Sequence, residues 1–195
     1  QAQAGPALTA FEFIPRIALD FLEKHMPEAR DPLEARHPWY VLMEVSSPRP
    51  DGAAEGALEA LLERAFEAGI VTDGAVAASL AQAQSFWDLR ERLSEVQKYE
   101  GGSVKCDVSV PVSKLPEFVQ RANAEVERIM PGARPFPFGH FGDGNVHYNV
   151  NQPVGMDKDA YLARWDDIAG AAYGLAVELG GSISAEHGIG RMKRD

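Results

Sequence analysis

Hydrophobic residues return at steps of three and four positions in several stretches of the chain. This spacing places them on one face of a helix and predicts helices at 7–25, 54–69, 81–99, 113–130 and 157–179. The first stretch contains Pro15, which disfavours a helix interior, and the second is followed by Gly69, a residue type that commonly ends helices.

Shorter segments between these helices have strand patterns. Residues 39–45 form an apolar run rich in strand formers that predicts a mostly buried strand, and 75–78 predicts a second, short one. Residues 103–110 alternate strictly between polar and apolar side chains, as in a strand with one buried face. Because Cys106 lies on the apolar side, we expect a small core residue there and not a nucleophile.

The order of these elements indicates the fold class. With a hairpin predicted at 135–151, the order becomes β-α-β-α-β-α-β-β-α. It is compatible with an α+β fold in which helices cover one face of a largely antiparallel sheet. Three prolines among charged residues at 27–38 predict a loop, so we divide the chain into an N-terminal helix and connecting loop at 1–38 and an α+β domain at 39–195.

Composition narrows the function classes. The 195 residues include 19 Lys and Arg against 29 Asp and Glu, a net charge of −10, which argues against a protein that binds nucleic acid or an anionic membrane. A single cysteine excludes an internal disulfide and a multi-cysteine metal site, so metal chemistry must use histidines and carboxylates. Neither G-x-G-x-x-G nor a P-loop sequence occurs.

The sequence also leads to expectations about the location of the protein in the cell and about the two ends of the chain. We see no signal peptide and no apolar run long enough for a transmembrane segment, and therefore expect a cytoplasmic location. The chain begins at Gln1 without a methionine and ends in the charged run 191–195, which has the character of a helix in progress. We therefore expect a piece of a longer protein.

The most informative stretch is the predicted hairpin. Asp143-Gly144 between two apolar and aromatic runs predicts a two-residue type I′ turn. That turn would place His140 directly opposite His147 on one face, close enough for both imidazoles to share a metal, with Asn149 on the same face. The alternative is a surface hairpin with two incidental histidines.

A second polar cluster follows the last predicted helix. Glu186 and His187 lie between glycines in the run 180–190, before a new helix. Three ligands drawn from histidines and carboxylates, with one open position, are typical of a catalytic site for Zn²⁺, Mn²⁺, Fe²⁺ or Co²⁺. The remaining histidine would be free for proton transfer.

These two motifs also carry a family resemblance. The run His-x-Gly-Asp-Gly-Asn-x-His-x-Asn at 140–149 and the run Ser-Ile-Ser-Ala-Glu-His-Gly-Ile-Gly at 182–190 resemble the C-terminal, substrate-side domain of the FAD-linked D-2-hydroxyacid dehydrogenases. That family includes D-2-hydroxyglutarate dehydrogenase, D-lactate dehydrogenases and the flavin subunit of glycolate oxidase. The segments 86–91 and 105–111 extend the resemblance over most of the chain.

The resemblance implies a fold and its cofactors. It implies a ferredoxin-like antiparallel sheet, and FAD held mainly by a domain that would precede residue 1; it implies no particular FAD-binding residue in this chain. It also implies a further helix and tail after Asp195. The partners compatible with it are the flavin-binding domain of the same protein and an electron-acceptor subunit.

The resemblance further implies a role for each site residue. His140, His147 and Glu186 would hold the metal, usually Zn²⁺, and His187 would take the proton of the substrate hydroxyl while the α-hydride passes to the flavin. The substrate would be held by two cations, Arg90 and Lys105, and by two further polar groups, Ser94 and Asn149.

Physical arguments support these roles. A 2-hydroxy acid chelates a metal through its hydroxyl and one carboxylate oxygen, and the metal lowers the hydroxyl pKa towards the range of a histidine. The neighbouring cation keeps His187 neutral, as a base must be. The fork of Arg90 suits a carboxylate, and Ser94 lies one turn further along the helix. Lys105 points away from the apolar face; without the resemblance, Arg90 and Lys105 are more simply solvated surface cations.

Two other function classes stay open from the residues alone. One is a self-contained metal-dependent hydrolase that uses the same His/His/Glu site and His187 as base. Asp143 is a weak candidate for the second carboxylate base that such an enzyme would need. The other is a non-catalytic ligand-binding α+β module. Within the dehydrogenase hypothesis, the sequence does not distinguish glycolate, D-lactate and D-2-hydroxyglutarate as the substrate, because all three share the chelating head.

Overall fold

A computed structural model of the chain describes residues 5–48 and 51–188, which are organised around one antiparallel sheet. Its strands are β1 (Leu8–Pro15), β2 (Trp39–Val45), β3 (Ser103–Ser109), β4 (Arg134–His140) and β5 (Asn145–Asn151), in the spatial order β2-β1-β4-β5-β3. The helices are α1 (Arg16–His25), α2 (Ala53–Glu67), α3 (Leu80–Val96), α4 (Leu115–Ile129), α5 (Lys158–Leu162) and α6 (Trp165–Glu178). Short 3₁₀ turns occupy Gly5–Ala7, Gln97–Glu100 and Val112–Lys114.

Two apolar clusters lie on opposite faces of this sheet. On one face, alternate residues of β3 and β5 pack against α4 and α6: Val104, Cys106, Val108, Val146, Tyr148 and Val150. On the other face, Phe136 and Phe138 of β4 pack against α1 and α3. The predicted α+β class with an antiparallel sheet is confirmed, and so is the core position of Cys106. Helices α4 and α6 cover one face as predicted, while α1 and α3 add a layer on the other.

The helix predicted at 7–25 is wrong in its first half, which forms β1. Pro15 disfavours the helical conformation in the residue before it, and the period-two alternation of Phe11 and Phe13 fits a strand. Helix α1 begins at Arg16, directly after the proline. Because β1 pairs with both β2 and β4, the N-terminal segment contributes a strand to the common sheet.

Other predicted elements agree with the structure except at a few points. Strand 39–45, strand 103–110 and the three middle helices are confirmed. The strand predicted at 75–78 is wrong, since these residues are irregular and Val76 is exposed. Strand β2 is less buried than predicted because it is the edge strand, and Trp39 and Val41 are about half exposed.

The helix predicted at 157–179 is divided into α5 and α6. Asp157 caps the start of α5 by accepting a hydrogen bond from the backbone N–H of Ala160. The buried hydroxyl of Tyr161 donates to the carbonyl of Val150, which fixes α5 against the end of β5. Helix α6 starts again at Trp165 and packs along β3.

A buried carboxylate joins α1 to β4. Glu100 accepts hydrogen bonds from Lys24 and His25 at the end of α1, at 2.6 and 2.5 Å, and from the guanidinium of Arg134. Burial acts to raise the pKa of Glu100, but the hydrogen bonds from Lys24, Arg134 and His25 outweigh it and lower the pKa to about 2.

This cluster gives a pH dependence of stability. The pKa of Glu100 is lower in the folded protein than the ordinary value of 4.5. Its charge therefore stabilises the fold above about pH 4.5, and that contribution is lost as the pH falls towards 2. We expect the free energy of unfolding of the native protein to exceed that of Glu100→Gln by an amount that shrinks between pH 5 and about 2. Urea unfolding over this range measures it, and a difference that does not change with pH would contradict the assignment.

Candidate functional site

The loop after α6 is attached to the outer edge of β3. Ser182 and Ser109 form an antiparallel bridge with hydrogen bonds of 3.0 and 2.8 Å. The contact requires a glycine at 181, because a Cβ there would lie 1.9 Å from the carbonyl oxygen of Ser109. The bridge brings Glu186 beside Asp107, although 79 residues separate them in sequence.

The hairpin forms with a register that differs from the predicted one. His147 lies opposite Phe138 and not opposite His140, and residues 141–144 make the turn. The type I′ turn is wrong because it requires positive φ at Asp143, and among the described residues positive φ occurs at glycines alone. The register differs by two positions, so His140 and His147 still share a face, with ring centroids 5.9 Å apart.

Three imidazoles converge on the carboxylate of Glu186. Nε2 of His140 lies 3.2 Å from one carboxylate oxygen, and Nε2 of His147 lies 3.9 Å from the other. Nε2 of His187 lies 4.0 Å from that second oxygen. The side-chain amide of Asn145 donates to Glu186 and orients the carboxylate. The structure thus brings together the three predicted metal ligands and the predicted base.

Each of the two hairpin histidines has a carboxylate at its other ring nitrogen. Oε1 of Glu12 lies 2.6 Å from Nδ1 of His140, and Oδ1 of Asp107 lies 3.6 Å from Nδ1 of His147. Both carboxylates belong to buried residues. The hydrogen bond to Glu12 favours the tautomer of His140 in which Nε2 has the free lone pair and faces Glu186, the form that binds a metal. At 3.6 Å, Asp107 is a charged neighbour of His147 and not a hydrogen-bond acceptor.

Asp107 also holds the loop that carries Glu186 and His187. Its Oδ2 accepts the backbone N–H groups of both residues, at 2.8 and 2.9 Å. Burial acts to raise the pKa of Asp107, but these two hydrogen bonds outweigh it and the pKa lies below its usual value. Asp107 is therefore an anion near pH 7, which strengthens both hydrogen bonds.

The electrostatics around His147 favour its neutral form. Burial lowers the pKa of its imidazole, and the positive charge of Arg90 acts in the same direction, whereas Glu186 opposes the shift. A neutral imidazole is the form that binds metals. His187, by contrast, is the most exposed group of the centre, with 72% of its side chain accessible.

The donor set fits a divalent metal. One atom from each of Asp107, His147, Glu186 and His187 lies within 4.8 Å of the other three, and His140, outside this group, contacts the other carboxylate oxygen of Glu186. The buried Oδ1 of Asp107 has no hydrogen-bond partner among the described residues. Imidazole nitrogens with a carboxylate oxygen are the ligands of Zn²⁺, Fe²⁺ and Mn²⁺ in catalytic sites.

The predicted substrate-binding residues lie on the same side of the sheet but differ in exposure. Arg90 is buried, donates from Nε to Glu12 at 2.6 Å, and stacks over the ring of Phe138 at 5.0 Å. Ser94, one turn further along α3, is exposed, and so is Lys105 on β3.

Asn149 is buried and already has a protein partner. Its amide donates to the side chain of Gln97 at 3.0 Å. Lys105 lies opposite Asn149 on the neighbouring strand, two residues from Asp107 and therefore on the same face. A cavity of about 360 Å³ borders the centre on the β1 side and is lined by Glu12, His140 and Trp87, among others. This volume suits a small organic ligand.

Sequence reasoning missed two functional candidates, Glu12 and Asp107. Asp107 belongs to the polar face of the alternation at 103–110, so the strand pattern could have placed it near His147. Glu12 lies inside the segment predicted as a helix, and no local signal places it beside His140, which is 128 residues away.

The fold and the centre together define a class. An α+β domain whose sheet carries imidazoles around one carboxylate, with a buried arginine beside them, is suited to acid–base chemistry on a small anionic molecule. The sequence profile of the family described as "FAD linked oxidases, C-terminal domain" matches residues 1–195. The chain belongs to this family, which confirms the resemblance found in the sequence.

Curated relatives agree with this family. The chain is 38% identical over 188 residues to D-2-hydroxyglutarate dehydrogenase of Stutzerimonas stutzeri, covering 96% of the chain and 40% of that relative. It is 36% identical over 192 residues to a probable mitochondrial D-2-hydroxyglutarate dehydrogenase of Oryza sativa, covering 98% and 33%. The mitochondrial enzyme of Danio rerio is 35% identical over 193 residues, covering 98% and 34%. The chain thus spans about a third to two fifths of these relatives' length.

The anchoring role of Asp107 can be measured directly. In Asp107→Ala, the amides of Glu186 and His187 lose a charged acceptor that is worth about 1.5–3 kcal/mol. We expect hydrogen–deuterium exchange at these two amides to become roughly 10- to 100-fold faster. Asp107→Asn keeps an acceptor oxygen and is expected to fall between the two. Unchanged exchange in the alanine variant would show that other contacts hold the loop.

Proposed function

We propose that this chain is the substrate- and metal-binding part of a flavin-dependent dehydrogenase that oxidises a 2-hydroxy acid to the 2-oxo acid. The observation that carries the proposal is the convergence of His140, His147 and His187 on Glu186, in a chain of the FAD linked oxidase family. A metal-dependent hydrolase would use the same ligands, but no further contact in the centre favours it.

His140, His147 and Glu186 would hold the metal, with Zn²⁺ as our first choice. When bound, the metal would supply a Lewis acid that the 2-hydroxy acid chelates and that lowers the pKa of the substrate hydroxyl. Glu12 occupies the Nδ1 side of His140 with a hydrogen bond. The ligand nitrogen of His140 would therefore be oriented before any metal arrives.

His187 is the proton acceptor in this proposal. It follows the proposed metal ligand Glu186 directly, and its ring is the most exposed of the three imidazoles. His187 would accept the hydroxyl proton at its imidazole, and FAD, when bound, would supply the acceptor for the α-hydrogen and its electron pair, so that the 2-hydroxy acid would become the 2-oxo acid. The loop contacts to Asp107 fix the backbone from which His187 extends.

Two cations are available for carboxylates. The contact between Arg90 and Glu12 uses Nε and leaves the two terminal nitrogens for the carboxylate beside the hydroxyl. Lys105 is exposed on the same face and would take a second carboxylate. Ser94 and Asn149 would add hydrogen bonds. D-2-hydroxyglutarate has two carboxylates and is the substrate in the names of the relatives. We therefore place it ahead of D-lactate and glycolate.

The remaining expectations concern the cell. The described residues contain no helix long and apolar enough to cross a membrane. An electron-acceptor subunit stays a proposal, as does the cytoplasmic location; the plant and animal relatives are named as mitochondrial.

Histidine variants of the protein that carries this chain separate metal binding from proton transfer. We expect His140→Ala/His147→Ala to lose both the bound metal and turnover. His187→Ala should keep the metal and lower kcat by about 10²–10⁴, the usual contribution of a general base. Metal analysis and steady-state kinetics on the same preparations give the answer. Loss of metal from His187→Ala would make His187 a ligand and the base assignment wrong.

Substrate choice is tested at Lys105. Lys105→Met keeps the length of the side chain and removes its charge, so the second carboxylate loses its cation. We expect kcat/KM for D-2-hydroxyglutarate to fall by about 10- to 100-fold, the worth of a charged hydrogen bond, while kcat/KM for D-lactate stays unchanged. An equal loss for both substrates would show that Lys105 does not bind the distal carboxylate.

A further inference from the structure

The side chain of Glu12 connects two parts of the proposed centre. It is 2% exposed and lies on β1, where β1 pairs with β4 at His140. One of its oxygens is 2.6 Å from Nδ1 of His140, and the other accepts from Nε of Arg90 at 2.6 Å. One carboxylate therefore contacts both a proposed metal ligand and the proposed cation for the substrate carboxylate.

We propose that Glu12 is a positioning residue that orients both the proposed metal ligand His140 and the proposed substrate-binding residue Arg90. The inference rests on the proposed function, and it assigns Glu12 no direct contact with substrate or metal.

The first effect of Glu12 is on the tautomer of His140. A carboxylate accepts hydrogen bonds and cannot donate, so Nδ1 must carry the hydrogen. The lone pair of Nε2 then faces Glu186, 3.2 Å away, which is where the metal would lie. Backbone pairing fixes this geometry, because Glu12 and His140 are register partners of adjacent strands.

The second effect is on the position of Arg90. Its guanidinium is held at Nε by Glu12 and on one face by the ring of Phe138. Because the guanidinium of Arg90 is planar and is held at one edge and on one face, the direction of its two terminal nitrogens is fixed. This arrangement reduces the entropy lost when a carboxylate binds in bidentate form.

The third effect is electrostatic. Arg90 is a buried cation close to imidazoles that would hold a divalent cation, and its charge acts on His147. Like charges in such a site repel strongly. A buried anion between Arg90 and His140 offsets this repulsion, so Arg90 and the metal ion can occupy the same centre.

The alternative is that Glu12 is a buried ion-pair residue with a purely structural role. The chain provides a matched control, since Glu100 is also a buried carboxylate that bridges an arginine and a histidine, Arg134 and His25, away from the centre. Glu100→Gln therefore reproduces the loss of a buried charge with both kinds of partner.

The test compares Glu12→Gln, Glu12→Asp and Glu100→Gln with the native protein that carries this chain. A glutamine at position 12 has one acceptor oxygen for two donors, and an NH₂ turned towards His140 would select the opposite tautomer. We expect Glu12→Gln to bind Zn²⁺ about 10- to 100-fold more weakly and to raise KM for the 2-hydroxy acid. Glu100→Gln should match the native protein in both. Zn²⁺ competition with a chromophoric chelator and steady-state kinetics measure these quantities.

A second readout does not require metal or turnover. Nitrogen-15 NMR of metal-free protein at a pH where His140 is neutral reports which ring nitrogen carries the hydrogen. We expect Nδ1–H in the native protein and in Glu100→Gln, and a shift towards Nε2–H in Glu12→Gln. If Glu12→Gln does not fold, Glu12→Asp replaces it: a carboxylate shorter by one methylene cannot span both partners, so we expect either weaker Zn²⁺ binding or a raised KM.

The outcomes separate this inference from the proposed function. Unchanged Zn²⁺ affinity and tautomer in both Glu12 variants would overturn the inference, even if the native protein oxidises 2-hydroxy acids. A native protein that oxidises none of them would overturn the proposed function. The tautomer shift would still support the role of Glu12 at His140.

Discussion

The pairing of β4 with two neighbours is the constraint on which the rest of the structure depends. β1 binds one edge of β4 and β5 binds the other, so β4 joins the two apolar clusters into one fold. The same strand ends at His140, with Phe138 two residues earlier on the same face. A slip of one residue along β4 would move both side chains to the opposite face. The core and the centre are therefore specified by a single register.

Charge in this protein matters through its location and not through its total. The net charge of −10 argues against partners such as nucleic acid, but it says nothing about the centre. There, Glu12 contacts His140 and Arg90, and Asp107 accepts the backbone N–H groups of Glu186 and His187. Such buried anions are costly unless every one of them is paired. Both oxygens of Glu12 meet that requirement, whereas Asp107 meets it at Oδ2.

The sequence predicted most helices, the β3 strand and the residues that converge on Glu186, because local periodicity and short motifs carry that information. It failed where a contact between distant segments decides the outcome. The segment before Pro15 has apolar residues at both helical and strand spacing, and its pairing with β4 selects the strand. The hairpin turn followed the pairing of His140 with β1 and not the local Asp-Gly preference. Glu12 was missed for the same reason, since its role exists only through that sheet.

The loop at 180–188 carries two different functions on one short attachment. Glu186 and His187 are neighbours, and Asp107 binds both backbone N–H groups beside the single bridge at Ser182. A local opening of this segment would remove the proposed carboxylate ligand and the proposed proton acceptor in one event. The two proposed roles of the loop are therefore gained and lost together, while His140 and His147 keep their places on the hairpin.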